Sequence, residues 1–251
     1  MNARRYFFIP FSVLVILALA ACGPASTPAS GSPPALGSGP VSSAGGACSN
    51  PWEPVKVGAT WSYTLSGISS GTFVRTIETV AADGFTDQNV FSNGVTRPGK
   101  WTCSNGALTA DDPFSTNTSA SSSALNLHTD STDGTGLPAG TKPGDTFAIT
   151  YHMSGTITEN GKTNPLTEVV SESCKADNMQ SVTVAAGTFD ALHLTCQLGL
   201  NMTAMIGGAS SPIVSNSTAQ RWFAKGVGVV KSTDTSSAGV RTTELSSYNI
   251  P

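Results

Sequence analysis

Charge is scarce in this chain: 13 Lys and Arg and 16 Asp and Glu are spread over 251 residues. No basic run or patch offers the electrostatic footprint that nucleic-acid binding needs. Histidine is scarcer still, with three residues, and there is no CxxC and no histidine at ligand spacing from any cysteine. No Gly-rich loop lies between a strand and a helix to cradle phosphate, and the scattered acids form no pair suited to glycoside hydrolysis. Sustained helical periodicity is missing as well. Ser, Thr and Gly fill the space left by charge, a composition that suits exposed strands and turns.

The one long apolar run, Tyr6 to Leu19, follows a basic head with Arg4 and Arg5 and is interrupted by Pro10. It is short for a membrane span of roughly 20 residues, and small residues in Leu19-Ala20-Ala21 precede Cys22. This pattern marks residues 1–21 as a lipoprotein signal peptide. Cys22 then carries a thioether-linked diacylglycerol, often with an added acyl group, and two or three chains anchor a protein stably in one leaflet. The competing readings are an ordinary secretory signal with a chance cysteine and, from Arg4-Arg5-Tyr6-Phe7-Phe8, twin-arginine export. Removal of the leader leaves 11 basic and 16 acidic residues, a net of −5. Residues 22–50 are rich in Pro, Ala, Ser and Gly and read as a flexible tether.

With Cys22 committed to lipid, Cys48, Cys103, Cys174 and Cys196 remain. In an exported protein an even set reads as two disulfides, for which three pairings exist. Cys48 with Cys103 and Cys174 with Cys196 is favoured, since each pair falls in one half of the domain; zinc is the weaker competitor.

Residues 51–251 have the texture of one antiparallel β domain. Trp61, Tyr63 and Leu65 alternate with Thr60, Ser62 and Thr64, and Phe147, Ile149, Tyr151 and Met153 alternate with polar residues, the period of half-buried strands. Further strands are expected at 72–81, 85–92, 99–103, 107–109, 166–174, 181–185, 192–200, 220–224, 227–232 and 240–248, with Ser104-Asn105-Gly106 a turn. Between 111 and 140 only a short strand at 124–128 is expected within a long loop. Lys56-x-Gly58-x-Thr60-Trp61 recurs as Lys142-x-Gly144-x-Thr146-Phe147, an echo that fits either duplication or two similar turns. Short connections and the lack of helix predict an all-β domain.

Chemistry is thinly represented. Gly67-Ile68-Ser69-Ser70-Gly71 matches the text of a nucleophile elbow, but a strand follows where the motif needs a helix. A hydrolase built on Ser69 would need His128, His152 or His193 beside it. Asp130 to Gly134 lacks the further ligands of a calcium loop. No cofactor and no metal site is expected.

Val182-Thr183-Val184-Ala185-Ala186-Gly187-Thr188-Phe189-Asp190-Ala191, Arg221 to Lys231 (RWFAKGVGVVK) and Glu244-Leu245 resemble the TapB-like family of bacterial envelope proteins. Gly58-x-x-Trp61 and Cys103-Ser104-x-Gly106-Ala107-Leu108 fit the same pattern, and Lys225 replaces the family's usual Pro. The resemblance implies a LolA/LolB-like curved antiparallel sheet, or half-barrel, with no established activity and no catalytic residues to carry over.

The combined expectation is a non-catalytic protein, lipid-anchored in the bacterial cell envelope. Its apolar sheet face would bind an acyl chain, another lipid or an envelope protein, with Trp61, Tyr63, Phe147, Tyr151 and Trp222 facing the ligand. A structural or adhesion-associated surface module is the alternative and a serine hydrolase the minor one. The sequence leaves inner or outer membrane open.

Overall fold

The computed structural model describes residues 46–111, 118–120, 123–159, 161–206 and 209–251. The leader, Cys22 and the tether as far as residue 45 lie outside them. No helix occurs among the described residues. A first meander consists of β1 (Thr60–Gly67), β2 (Gly71–Val80), β3 (Gly84–Phe91), β4 (Thr96–Ser104) and β5 (Ala107–Ala110). A second runs through β6 (Thr118–Ala120), β7 (Ser123–Gly134), β8 (Thr146–Glu159), β9 (Lys162–Val184) and β10 (Gly187–Ile206). It ends with β11 (Ala209–Ala224), β12 (Gly228–Ser236) and β13 (Gly239–Asn249).

All 13 strands form one antiparallel sheet of order β5-β4-β3-β2-β1-β13-β12-β11-β10-β9-β8-β7-β6. The meanders join where the last strand pairs with the first, Thr60 opposite Asn249. A single bridge between Leu108 and Leu137 brings β5 to the chain after β7, so the open sheet curls back on itself. Register shifts between Ile77 and Thr79, Leu192 and Leu194, and Trp222 and Phe223 supply bends, because an extra residue on one strand increases local twist.

Strand length differs sharply between the meanders, from 8 residues in β1 to 23 in β9. The strands expected at 166–174 and 181–185 are one bent strand, and the short strand expected at 124–128 within the loop between 111 and 140 is the 12-residue β7. Both differences have one cause: pairing with β8 and β10 imposes extended backbone on polar Ser/Thr/Asp segments that show no alternation of their own. The turn at Asn105-Gly106 takes positive φ at both residues, 51° and 78°, as a two-residue hairpin loop requires.

Apolar side chains gather in three cores. The first holds Trp61, Tyr63, Ile77, Phe85, Val230 and Leu245. The second holds Trp52, Leu192, Leu194, Phe223 and the Cys174 and Cys196 pair. The third, on the long strands, holds Leu127, Ile149, Tyr151, Met153, Leu166 and Val170. Disulfides join Cys48 to Cys103 and Cys174 to Cys196.

Candidate functional site

The segment before β1 is a strap built into the domain. Cys48 and Asn50, which composition assigns to the tether, are buried, as are Trp52, Glu53 and Val55. Asn50 Nδ2 donates to Gly106 O at 2.8 Å and Leu137 O at 3.0 Å, and Trp52 Nε1 donates to Thr141 O at 3.1 Å. Gly106 N returns a bond to Ala47 O at 2.8 Å. The approach is close enough that a Cβ on Gly106 would lie 2.5 Å from Ser49 O.

The strap also carries half of a buried ion cluster. Arg75 Nη1 pairs with Glu53 Oε1, and Arg75 Nε donates to Asp87 Oδ2 at 2.6 Å. The guanidinium lies 5.3 Å from the Trp61 ring and 5.6 Å from the Trp101 ring, while Trp101 Nε1 donates to Asp87 Oδ2 at 3.1 Å. Burial works against the Arg75 charge, but Glu53 and Asp87 outweigh it and hold its pKa above the ordinary arginine value. Burial, reinforced by Glu53, likewise raises the Tyr63 phenol. A buried charge needs such pairing because desolvation costs several kcal/mol per ion. The cluster locks strap to sheet and offers no free acid or base.

The five residues expected to face a ligand are divided among the three cores. Trp61 and Tyr63 belong to the first, with Trp222 packed against it; Phe147 packs against the second; Tyr151 belongs to the third. Three of them spend their polar atoms internally: Trp61 Nε1 on Val227 O at 2.6 Å, Tyr63 OH on Val229 O at 3.0 Å and Trp222 Nε1 on Gln180 Oε1 at 2.8 Å. An open groove of about 630 Å³ beside Trp52, Pro143, Phe189 and Lys225 contains none of the five.

The three histidines are engaged away from Ser69, which sits in the β1–β2 turn. His128 lies 3.3 Å from Ser154 Oγ and 3.0 Å from Asp130, and His152 lies 3.1 Å from Asp133. His193 stacks on Trp222 with centroids 4.7 Å apart and receives a bond from Gln180 Nε2 at 3.3 Å. Glu172 lies close to the Cys174 and Cys196 sulfurs, which the disulfide commits.

One group escaped the sequence candidates. Glu168 is 4 % exposed and stands between Met153 on β8 and Met202 on β10 in direct register. Period-two alternation from Leu166 to Val170 was the available signal. Desolvation holds its carboxyl above the ordinary glutamate range, and no described side chain hydrogen-bonds or ion-pairs with it. Tyr151, two residues along β8 from Met153, is pushed up to about 12, chiefly by burial.

The C-terminal sequence motifs converge in the first core. The β9–β10 hairpin folds back so that Ala186 N donates to Leu245 O at 3.2 Å, Lys231 pairs with Glu244 at 2.8 Å, and Val227 O receives Trp61. A family model described as DUF3108-like matches residues 75–245, more than half of the chain and inclusive of these segments. The chain belongs to the DUF3108-like family. That is the family shown, where the motifs had suggested a TapB-like one. No curated protein matches this DUF3108-like chain. Among solved structures, a provisionally assigned lipoprotein of Parabacteroides distasonis is 13 % identical, with TM-score 0.49, 80 % of this chain and 99 % of the other covered. A provisionally assigned exported protein of Bacteroides fragilis with a YmcC-like fold is also 13 % identical, with TM-score 0.48 and coverages of 78 % and 97 %. The hypothetical lipoprotein YmcC of Escherichia coli is 10 % identical, with TM-score 0.33 and coverages of 77 % and 85 %.

Proposed function

We propose that this DUF3108-like protein is a non-catalytic envelope lipoprotein, held by lipid on Cys22, that carries an apolar ligand on the long-strand part of a LolA/LolB-like curved sheet. The observation that carries this reading is the contrast between the cores. The strap packs into the first two cores, through Cys48, Val55 and Trp52, whereas the third core, around Tyr151 and Met153, includes no strap residue. A wide apolar sheet face must close on itself or meet another surface. Serine hydrolysis lacks support, since all three imidazoles are bonded elsewhere.

Two measurements on the full chain test the reading. Cys22→Ser should move the protein from the membrane fraction to the soluble periplasmic or extracellular fraction; retention in the membrane would remove the anchor. Solvent extraction of the purified wild type should release a lipid or other acyl compound in stoichiometric amount, and its absence would remove the ligand.

A further inference from the structure

We propose that the groove beside Trp52 is a second binding site, suited to the zwitterionic head of an ethanolamine phospholipid: its phosphate on Lys142 and Lys225, its ammonium on Asp190. The inference stands apart from the apolar ligand of the long strands, since no residue of the third core lines this groove.

Four chain segments meet here, and backbone bonds fix them in place. The strap supplies Trp52, whose Nε1 donates to Thr141 O at 3.1 Å, and Gly226 N donates to Pro51 O at 2.8 Å, tying the strap to the β11–β12 turn that carries Lys225. The Lys142 turn is held by Gly144 N on Ala176 O at 2.7 Å and by Lys142 N on Asp145 Oδ2 at 3.0 Å. The start of β10 brings Phe189 and Asp190. The cleft they enclose, about 630 Å³ and open to solvent, falls within the roughly 300–1,000 Å³ of small-molecule sites. Its floor is buried: Trp52 is 3 % exposed, with the Lys225 ammonium 5.1 Å from its ring centroid. Its rim is not. Lys142, Asp190 and Lys225 are exposed, and none of them enters an ion pair among the described residues, whereas Lys100, Lys175 and Lys231 each have an acid. Met179, 38 % exposed, and half-buried Phe189 set apolar surface beside these charges.

Two cations, one carboxylate and an apolar wall in one cleft disfavour each simpler ligand. A fatty acid would leave Asp190 unmatched, an alkylammonium would meet two lysines, and a neutral chain would use neither sign. An ethanolamine phospholipid satisfies all of them. Its ammonium donates to Asp190 as a charge-assisted hydrogen bond, the lysines meet the phosphate as point charges, and its first methylenes pack on Phe189 and the adaptable Met179. The strap is also the segment through which lipid on Cys22 would hold the domain, so on that reading the groove's floor is the part of the site nearest in sequence to the leaflet.

Equilibrium dialysis of the full-length protein at neutral pH tests this with dihexanoyl phosphatidylethanolamine, dihexanoyl phosphatidylcholine and glycerophosphoethanolamine, the lipids below their micelle concentrations. The ethanolamine lipid should bind about tenfold or more tighter than the choline lipid, whose quaternary head has no N–H to donate to Asp190, as expected for a hydrogen bond to a charged group. Glycerophosphoethanolamine, which lacks the methylenes, should bind more weakly than its lipid. Asp190→Asn should abolish the ethanolamine preference and leave the choline lipid within about twofold of wild type, a difference too small to signal a lost charge contact. Lys142→Gln combined with Lys225→Gln should weaken both lipids about tenfold or more. Equal binding of the two lipids by the wild type, or no binding, overturns the proposal, as does binding that none of these variants changes, which would place the lipid elsewhere on the sheet. Glycerophosphoethanolamine bound as tightly as its lipid would make a free head the ligand and overturn the lipid assignment. Should a variant fail to fold, the ranking of the three probes on the wild type decides alone.

Discussion

The first meander buries a charge and surrounds it with partners; the second buries a carboxyl with which no described side chain pairs. Arg75 has Glu53, Asp87 and two tryptophan rings, and its chief partner arrives on a segment outside the sheet. Glu168 stands between two methionines, with no counter-ion among the described residues. Desolvation penalises both: pairing offsets it at Arg75, whereas at Glu168 it raises the carboxyl above the ordinary glutamate range. The strap therefore completes the polar cluster of the first meander, and the Glu168 side has no such addition among the described residues.

The largest expected effect breaks the completed side. Arg75→Ala leaves Glu53 and Asp87 buried without a cation and should cost about 3–5 kcal/mol in denaturant unfolding. A loss no larger than that of a surface substitution would mean that the pairing does not hold strap to sheet.

Next are the covalent ties. Converting Cys48 and Cys103 to Ser, which opens a separation of 55 residues, should cost about 4 kcal/mol on the chain-entropy account. The same change at Cys174 and Cys196, 22 residues apart, should cost about 3 kcal/mol. Thermal melts of the two double variants would order them, and a reversed order would show that the strap bond is not the stronger constraint.

The smallest effect sharpens the uncompleted side. The folded carboxyl of Glu168 is raised, so its favourable contribution is full below the unfolded glutamate pKa of about 4.3 and is lost as pH rises through the folded value. Glu168→Gln should thus gain stability relative to wild type on going from about pH 3 to neutrality. Parallel melting curves with a pH-independent gap would show that the carboxyl is not desolvated.

Much of this architecture was legible in the residues. The alternation at Trp61-Tyr63-Leu65 and Ile149-Tyr151-Met153 is reproduced as β1 and β8, with five of these six side chains buried and Leu65 half-buried. The Lys-x-Gly echo is a repeated junction: Gly58 and Gly144 have φ of 79° and 94°. Gly58 N bonds Ile77 O at 2.9 Å where Gly144 N bonds Ala176 O at 2.7 Å, and Ile77 N and Ala176 N both return 2.9 Å bonds, to Ala59 O and Asp145 O. The far half of β11 was not legible, because Ala209 to Ser217 carries Pro212 and no period-two alternation, so that pairing with β10 enforces its extension. Nor were the partners of the expected lining residues legible: Trp61, Tyr63 and Trp222 each place a polar atom in an internal hydrogen bond, to Val227 O, Val229 O and Gln180 Oε1, which only the fold brings into reach.

By itself the sequence determined the β class, through period-two alternation and the lack of any helical stripe, because side-chain direction along a strand is a local property of the backbone. It also laid down the turns, through Asn-Gly and Lys-x-Gly, because positive φ is tolerated by few residues. Only the tertiary structure decided which charges are partnered. Glu53 finds Arg75 across 22 residues and Glu168 finds no partner among the described residues, and solvation of a buried charge depends on what the whole chain brings within a few ångströms of it.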